Sequence, residues 1–284
     1  MKLSVYSYIF FRQGWEKNGC FDLEGMCRVA RELNITGADI VTTCGLKPAE
    51  IRQILSDSGI APVCYTFPCP ALNCPTADKR TTGVDQVKTG VDIALTIGAP
   101  IIMVVTPGEK NIPRDISRRQ YIHGLQESAA FARQAGITMT IENISPLLVI
   151  SSDILEAIRE VPGLKLTYDN GNVMMGGEDP VVSFSRCAAH VVHAHFKDWT
   201  LTKPDKGMEG LDGRYYEPAL IGEGIVPQRS CLAAMKQAGY KGYINISYEG
   251  NKYPPDEATR KAACYLQAIM DELKICPPAG QAGP

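Results

Sequence analysis

The sequence predicts a single α/β domain of the (β/α)8 TIM barrel type. One helix–glycine–strand unit recurs along the chain, its strands are near-continuous apolar runs, and eight such strands can be counted. Runs of this kind are what strands buried on both faces of a parallel sheet require. Alternating β and α units imply that sheet, and eight units without a change of composition favour closure over an open, doubly wound arrangement. No GxGxxG follows the first strand, so a dinucleotide-binding fold has no fingerprint here.

In chain order, LSVYSYIF (3–10) reads as the first strand and ITGADIV (35–41) as the second. After Pro48, Ile51, Ile54 and Leu55 share one helical face, Gly59 ends the helix, and APVCYTF (61–67) follows. Val84, Val87, Val91, Ala94 and Leu95 lead to Gly98 and PIIMVV. Tyr121, Leu125, Ser128 and Ala132 lead to Gly136 and ITMTIEN. Ile154, Leu155 and Ile158 lead to Pro162-Gly163 and LKLTYDN. VVHAHFKD (191–198) is the seventh strand; Leu232, Met235 and Gly239 then precede YINISYEG (243–250), the eighth. Glycine just past a helix supplies the left-handed conformation that stops it. Asp179-Pro180 reads as an N-cap with proline at N1, and Ser152 as the cap of the helix containing Ile154. GGED (176–179) and GEG (222–224) read as turns, not phosphate loops. The barrel is expected to span residues 1–276, and the tail 277–284 (PPAGQAGP) to be disordered.

Composition narrows the class. An apolar fraction of 45% suffices for a large core, and a net charge of −2 without a basic stripe argues against nucleic acid as a partner. The N-terminus lacks the apolar core of a secretory signal, and no run reaches a membrane span of roughly 18 residues. A cytoplasmic protein with no membrane partner is expected. The ten cysteines are scattered, none in a CxxC pair; Cys69 and Cys74 bracket a Pro-rich loop. They read as reduced thiols rather than a zinc site.

Chemistry in such a barrel sits at the C-terminal strand ends. Strand five ends in Glu142-Asn143 and strand six in Asp169-Asn170, with Asn172 close behind. Strand seven ends in His193, His195, Lys197 and Asp198, and strand eight in Glu249. A carboxylate closing an apolar strand is costly to desolvate unless something positive meets it. Four consecutive strands thus carry metal-ligand residue types: Glu142, Asp169, His195 and Glu249. Three carboxylates and one imidazole suit Mn²⁺ first, with Mg²⁺, Co²⁺ or Fe²⁺ as options. His193 points the same way as His195 one layer deeper, as a ligand, a support or a core residue. His123 and His190 lie on helical stretches and are expected at the surface.

These residues carry a resemblance. IENIS around Glu142, LTYDNGN around Asp169, HAHFKD around His195, IGEGIVP (221–227) and GYINISYEG around Glu249 resemble the xylose isomerase-like barrel superfamily. Within it, they are similar to the sugar phosphate isomerase/epimerase group, with its inosose isomerases and dehydratases and ketose 3-epimerases. The resemblance implies that Glu142, Asp169, His195 and Glu249 ligate one divalent metal. Many relatives have histidine where Asn172 stands, which narrows the site to a single ion, and four histidines in all are too few for a three-metal DNA-repair site. The activity implied is proton transfer next to a carbonyl of a sugar, keto-sugar or cyclitol through an enediolate, with Glu142 and Glu249 as base and acid. The alternative is a lyase, dehydratase or hydratase acting on a 3-keto-sugar, a 3-keto-glycoside (C-glycosides included) or an inosose at the same site. Asn143, Asn172, His193, Lys197 and Glu223 are candidates for substrate contacts, with Lys197 alternatively paired to Asp198. Trp15 and Trp199 stack on a sugar face or pack in the core. A non-catalytic sugar sensor is a third reading. Pairing into a homo-oligomer is common in the group.

Overall fold

The computed structural model describes residues 1–18, 21–74, 76–106, 112–144 and 147–275, the side chains of 13–18 excepted. The tail expected to be disordered lies outside these residues. Eight parallel strands close into a barrel: β1 (Lys2–Tyr6), β2 (Gly37–Val41), β3 (Ala61–Pro68), β4 (Ile101–Val105), β5 (Thr138–Glu142), β6 (Lys165–Asp169), β7 (Val191–Phe196) and β11 (Tyr243–Ile246). Closure comes from β1, which pairs with β2 on one side and β11 on the other. Around it lie α1 (Ser7–Asn18), α2 (Leu23–Glu32), α7 (Asn172–Met175), α8 (Pro180–Cys187) and α10 (Pro255–Glu272), while α3 (Pro48–Asp57), α4 (Ala77–Ile97), α5 (Arg114–Gln134), α6 (Ser151–Glu160) and α9 (Gln228–Gln237) each lead through a glycine to a strand. Past each of the latter helices, Gly59, Gly98, Gly136, Gly163 and Gly239 have φ between 67° and 90°, the left-handed backbone expected of them. Ile51, Leu55, Val87, Val91, Leu125, Ile154, Leu232 and Met235 are buried against the sheet. Leu95 is not: one residue past Ala94, it turns out of the face and stays 46% exposed.

Three local expectations are corrected. The first strand stops at Tyr6, and Ser7 opens α1 (Ser7–Asn18). Ser7 Oγ accepts from Val41 N–H at 2.7 Å, which pins the start of the helix to β2. Ser152 caps nothing: α6 begins at Ser151, whose N–H and Oγ donate to the Glu178 carboxylate, both at 2.6 Å. Asp179, by contrast, accepts from Val182 N–H at 2.9 Å, with Pro180 behind it. Between β7 and α9 the chain leaves the barrel. There β8 (Asp198–Leu201), β9 (Met208–Glu209) and β10 (Tyr215–Ala219) form a separate antiparallel sheet in the order β8-β10-β9. The seventh strand was expected to run through Asp198, but β7 stops at Phe196 and Asp198 opens this sheet. The sheet packs through Trp199, Tyr216, Met175 and Val226.

The barrel interior is polar beneath its mouth. Thr140 and Thr167 hydroxyls lie 2.9 Å apart, and Asn245 Nδ2 donates to Ser4 Oγ at 3.2 Å. Such groups are tolerable in a core only when they satisfy one another. Among the described residues, no helix is long and apolar enough to cross a membrane.

Candidate metal centre

The strand ends of β5, β6 and β7 converge. Glu142 closes β5, Asp169 closes β6, and His195 lies beside Asp169 in the β6–β7 register. One ligand-type atom from each lies within 4.8 Å of the others, and all three side chains are buried. The His195 imidazole bridges two carboxylates, with Nδ1 2.8 Å from Glu142 Oε1 and Nε2 3.2 Å from Asp39 Oδ2. Asp39, on β2, is fully buried; it also meets His193 Nε2 at 2.5 Å and accepts from Ser4 Oγ at 3.2 Å. The only sequence signal for it is a carboxylate inside the otherwise apolar run ITGADIV. Acidic partners of a ligating histidine fix its ring and tautomer.

The electrostatics of the cluster favour an added cation. Burial and the nearby Glu142 push Asp169 up to about 7, against the pull of Lys197. Burial would lower His195, yet hydrogen bonds to Asp39 and Glu142 carry it up to about 10. Burial opposes the charged form of Asp39 as well, but the two histidines hold it down at about 2. Asp169 Oδ1 accepts from Gly171 and Asn172 N–H at 2.8 and 2.7 Å. Its Oδ2 is buried without a hydrogen bond, 3.4 Å from Lys197 Nζ. An orphaned carboxylate oxygen beside a second carboxylate and an imidazole fits a divalent ion that takes oxygen and nitrogen donors.

The other expected residues fall in different places. Glu249 is outside that trio; Lys197 Nζ donates to its Oε1 at 2.8 Å, and it remains about a third exposed at the rim. Lys197 therefore pairs with Glu249 and Asp169, not with Asp198. Asp198 instead accepts backbone N–H groups of Trp199, Gly222, Gly224 and Val226, so the GEG turn wraps a carboxylate. Asn143 makes reciprocal bonds of 2.7 Å from its amide to the backbone of Asp169, tying β5 to β6. Asn172 is buried, with its backbone on Asp169, and His193 sits beneath the site on Asp39. Glu223 is turned away, held by Lys252 Nζ at 2.8 Å and Tyr253 OH at 2.6 Å. Trp199 is buried in the packing of the extra sheet. The side chain of Trp15 lies outside those described. His123 is exposed and His190 half-buried, as expected of helical surface positions.

A cavity of about 390 Å³ stands over the cluster. Glu142, His195, Lys197 and Glu249 line one side. Tyr6, Val41, Pro68, Met103, Val105 and Ile144 complete its lining, with Thr42, Thr66 and Ser247 as neutral polar groups.

Residues 17–269 match the family described as xylose isomerase-like TIM barrel, and the chain belongs to it. It is 27% identical over 161 residues to the inosose dehydratase of Lacticaseibacillus casei, covering 52% of this chain and 53% of that protein. It is 26% identical over 199 residues to an L-ribulose-5-phosphate 3-epimerase of Escherichia coli strain K12, covering 67% of this chain and 65% of that one. The chain thus spans about half to two thirds of the length of these curated relatives. The structure of a D-psicose 3-epimerase from Clostridium cellulolyticum H10 superposes with a TM-score of 0.73 at 14% identity, over 98% of this chain and all of that one, a likeness of fold.

Proposed function

We propose that this member of the xylose isomerase-like TIM barrel family is a divalent-metal-dependent isomerase or epimerase. It moves a proton next to a carbonyl of a sugar, keto-sugar or cyclitol through an enediolate. One observation carries the reading: Glu142 and Glu249, carried by β5 and β11 with β6 and β7 between them, line one cavity with His195, beside the Asp169–His195 pair. Epimerisation needs a base on one face of a carbon and an acid on the other, and this placement supports that division of labour. Glu142, Asp169 and His195 would hold the ion, Mn²⁺ first and Mg²⁺, Co²⁺ or Fe²⁺ as substitutes, with Glu249 as the fourth ligand. When bound, such an ion supplies Lewis-acid stabilisation of the negative charge that develops on the substrate oxygens. Lys197, already between Asp169 and Glu249, donates to a substrate oxygen. The apolar wall excludes water from the reacting carbon.

The similarity to an inosose dehydratase favours a second outcome at the same site, in which the enediolate expels a leaving group. Incubation of Mn²⁺-loaded protein with ketoses, inososes and 3-keto-glycosides in deuterated water separates the two. Deuterium gained at the α-carbon without loss of formula supports the epimerase; release of water or an aglycone supports the lyase. Absence of metal-dependent exchange across the panel would sink both.

A further inference from the structure

A second groove, of about 400 Å³, adjoins the catalytic cavity and shares Tyr8 and Glu249 with it. It lies between α1 and the antiparallel sheet, and Arg12, Lys206, Met208 and Pro218 complete its sides. Without the excursion between β7 and α9, its outer wall would be absent. We propose that this groove is a subsite for the part of the substrate beyond the reacting ring, and that it takes an aromatic group bearing an acidic oxygen. The inference rests on the reading of the inner cavity as the place where the sugar reacts.

The lining carries the chemistry. Tyr8, Met208 and Pro218 offer apolar surface, and Met208 is 46% exposed, a flexible thioether left uncovered. Thioether sulfur and tyrosine both make favourable contacts with aromatic faces. Two cations stand beside this surface. Arg12 is fixed by its Nη atoms, which donate to Asn251 Oδ1 and to the Gly250 carbonyl, both at 2.6 Å. Its Nε is buried with no hydrogen-bond partner, a donor left over. Lys206 is exposed, and among the described residues neither cation has a carboxylate within ion-pair distance. Elsewhere on the surface such pairs are common, as in Arg229–Glu272 and Lys252–Glu223. The inner cavity contrasts with this: its lysine is already neutralised by Asp169 and Glu249, so an anionic group on the reacting ring would meet carboxylates there. Glu249 borders the outer groove too, but Lys197 holds its carboxylate, so an acidic substituent belongs in that groove beside Arg12 and Lys206. Tyr8 and Glu249 border both compartments, which sets them side by side for the two parts of one molecule.

The test uses inert probes that need no turnover. Full-length Mn²⁺-loaded protein is titrated calorimetrically with 4-carboxyphenyl β-D-glucopyranoside and with methyl β-D-glucopyranoside. The aryl acid is expected to bind about tenfold or more tightly than the methyl glycoside. Lys206→Glu, at an exposed position that leaves folding intact, should weaken the aryl acid about five- to tenfold and leave the methyl glycoside unchanged, the effect of reversing one partly screened charge. Met208→Ala should weaken the aryl acid and, again, spare the methyl probe. Equal affinity for the two probes, no binding of the aryl acid, or a difference indifferent to Lys206→Glu would overturn the subsite. Since no proton is transferred in this assay, absence of α-exchange in the reaction panel would count against the proposed activity alone.

Discussion

Around the mouth of the barrel, β5, β6, β7 and β11 end in Glu142, Asp169, His195, Lys197 and Glu249, whereas β1 to β4 end in Tyr6, Val41, Thr66, Pro68, Met103 and Val105. The first group makes one contiguous arc. Adjacent strands there set Asp169 beside His195 in register, and Asn143 locks β5 to β6, so the candidate ligands are held in place by their own strands. The second group brings no charge to the cavity. It supplies shape and a low local dielectric, which strengthens every interaction on the charged arc. Charge and enclosure are thus divided between the halves, and Asp39 is the exception. It belongs to the apolar half by sequence but crosses beneath the site to His195 and His193.

The division is broken most severely by Glu142→Gln. The substitution keeps the shape and removes the charge facing His195. Turnover should fall by at least about 10³-fold, in the range lost with a general base, and Mn²⁺ affinity should fall with it. Steady-state rates together with calorimetric metal titration read both. Activity retained at a substantial fraction of wild type would mean that the charged arc is not where the proton moves.

Asp39→Asn tests whether the apolar half contributes to the metal centre after all. Asparagine keeps one acceptor oxygen but loses the negative charge, which weakens the hold on the His193 and His195 rings that share Asp39 Oδ2. Metal affinity should drop by about 10–100-fold, the usual effect of removing an acidic support from a ligating histidine. Asp39→Glu should recover part of it. A fall in Tm with metal affinity unchanged would instead mark Asp39 as a purely structural residue.

These two residues also show what sequence reading can reach. Glu142 was legible because it closes a β-branched run, and the physical cost of burying a carboxylate there demands a partner. The same cost applies to Asp39, yet it lies inside its run, and its partners are 154 and 156 positions away on β7. Only closure of the sheet brings them together. The helix-ending glycines were legible because the left-handed backbone is a local requirement. The end of β1 was not, since YIFF continues the apolar pattern of LSVYS while changing from strand to helix. Nor was the extra sheet, whose pairing of Tyr215 and Tyr216 with Glu209 and Met208 depends on a turn rather than on periodicity. Asn143 and Glu223 have side chains suited to sugar hydroxyls, but composition does not reveal that the backbone of Asp169 takes one and Lys252 the other.

The smallest effect is expected on the apolar side. Val105→Ala trims two methyl groups from the wall facing Glu142 and His195, from a residue only partly buried in the fold. At roughly 0.8 kcal/mol per methylene-sized group removed from contact, substrate binding should weaken by about 1–1.5 kcal/mol, a rise in KM of about five- to tenfold. The turnover number should hold, because a wall that touches substrate equally before and during proton transfer contributes uniform binding. Steady-state kinetics give both constants, and a melting curve checks that the fold is intact. A fall in kcat with KM unchanged would put Val105 in contact with the transition state specifically. The apolar half would then share in the chemistry, and the two sides of the mouth would differ in composition without differing in role.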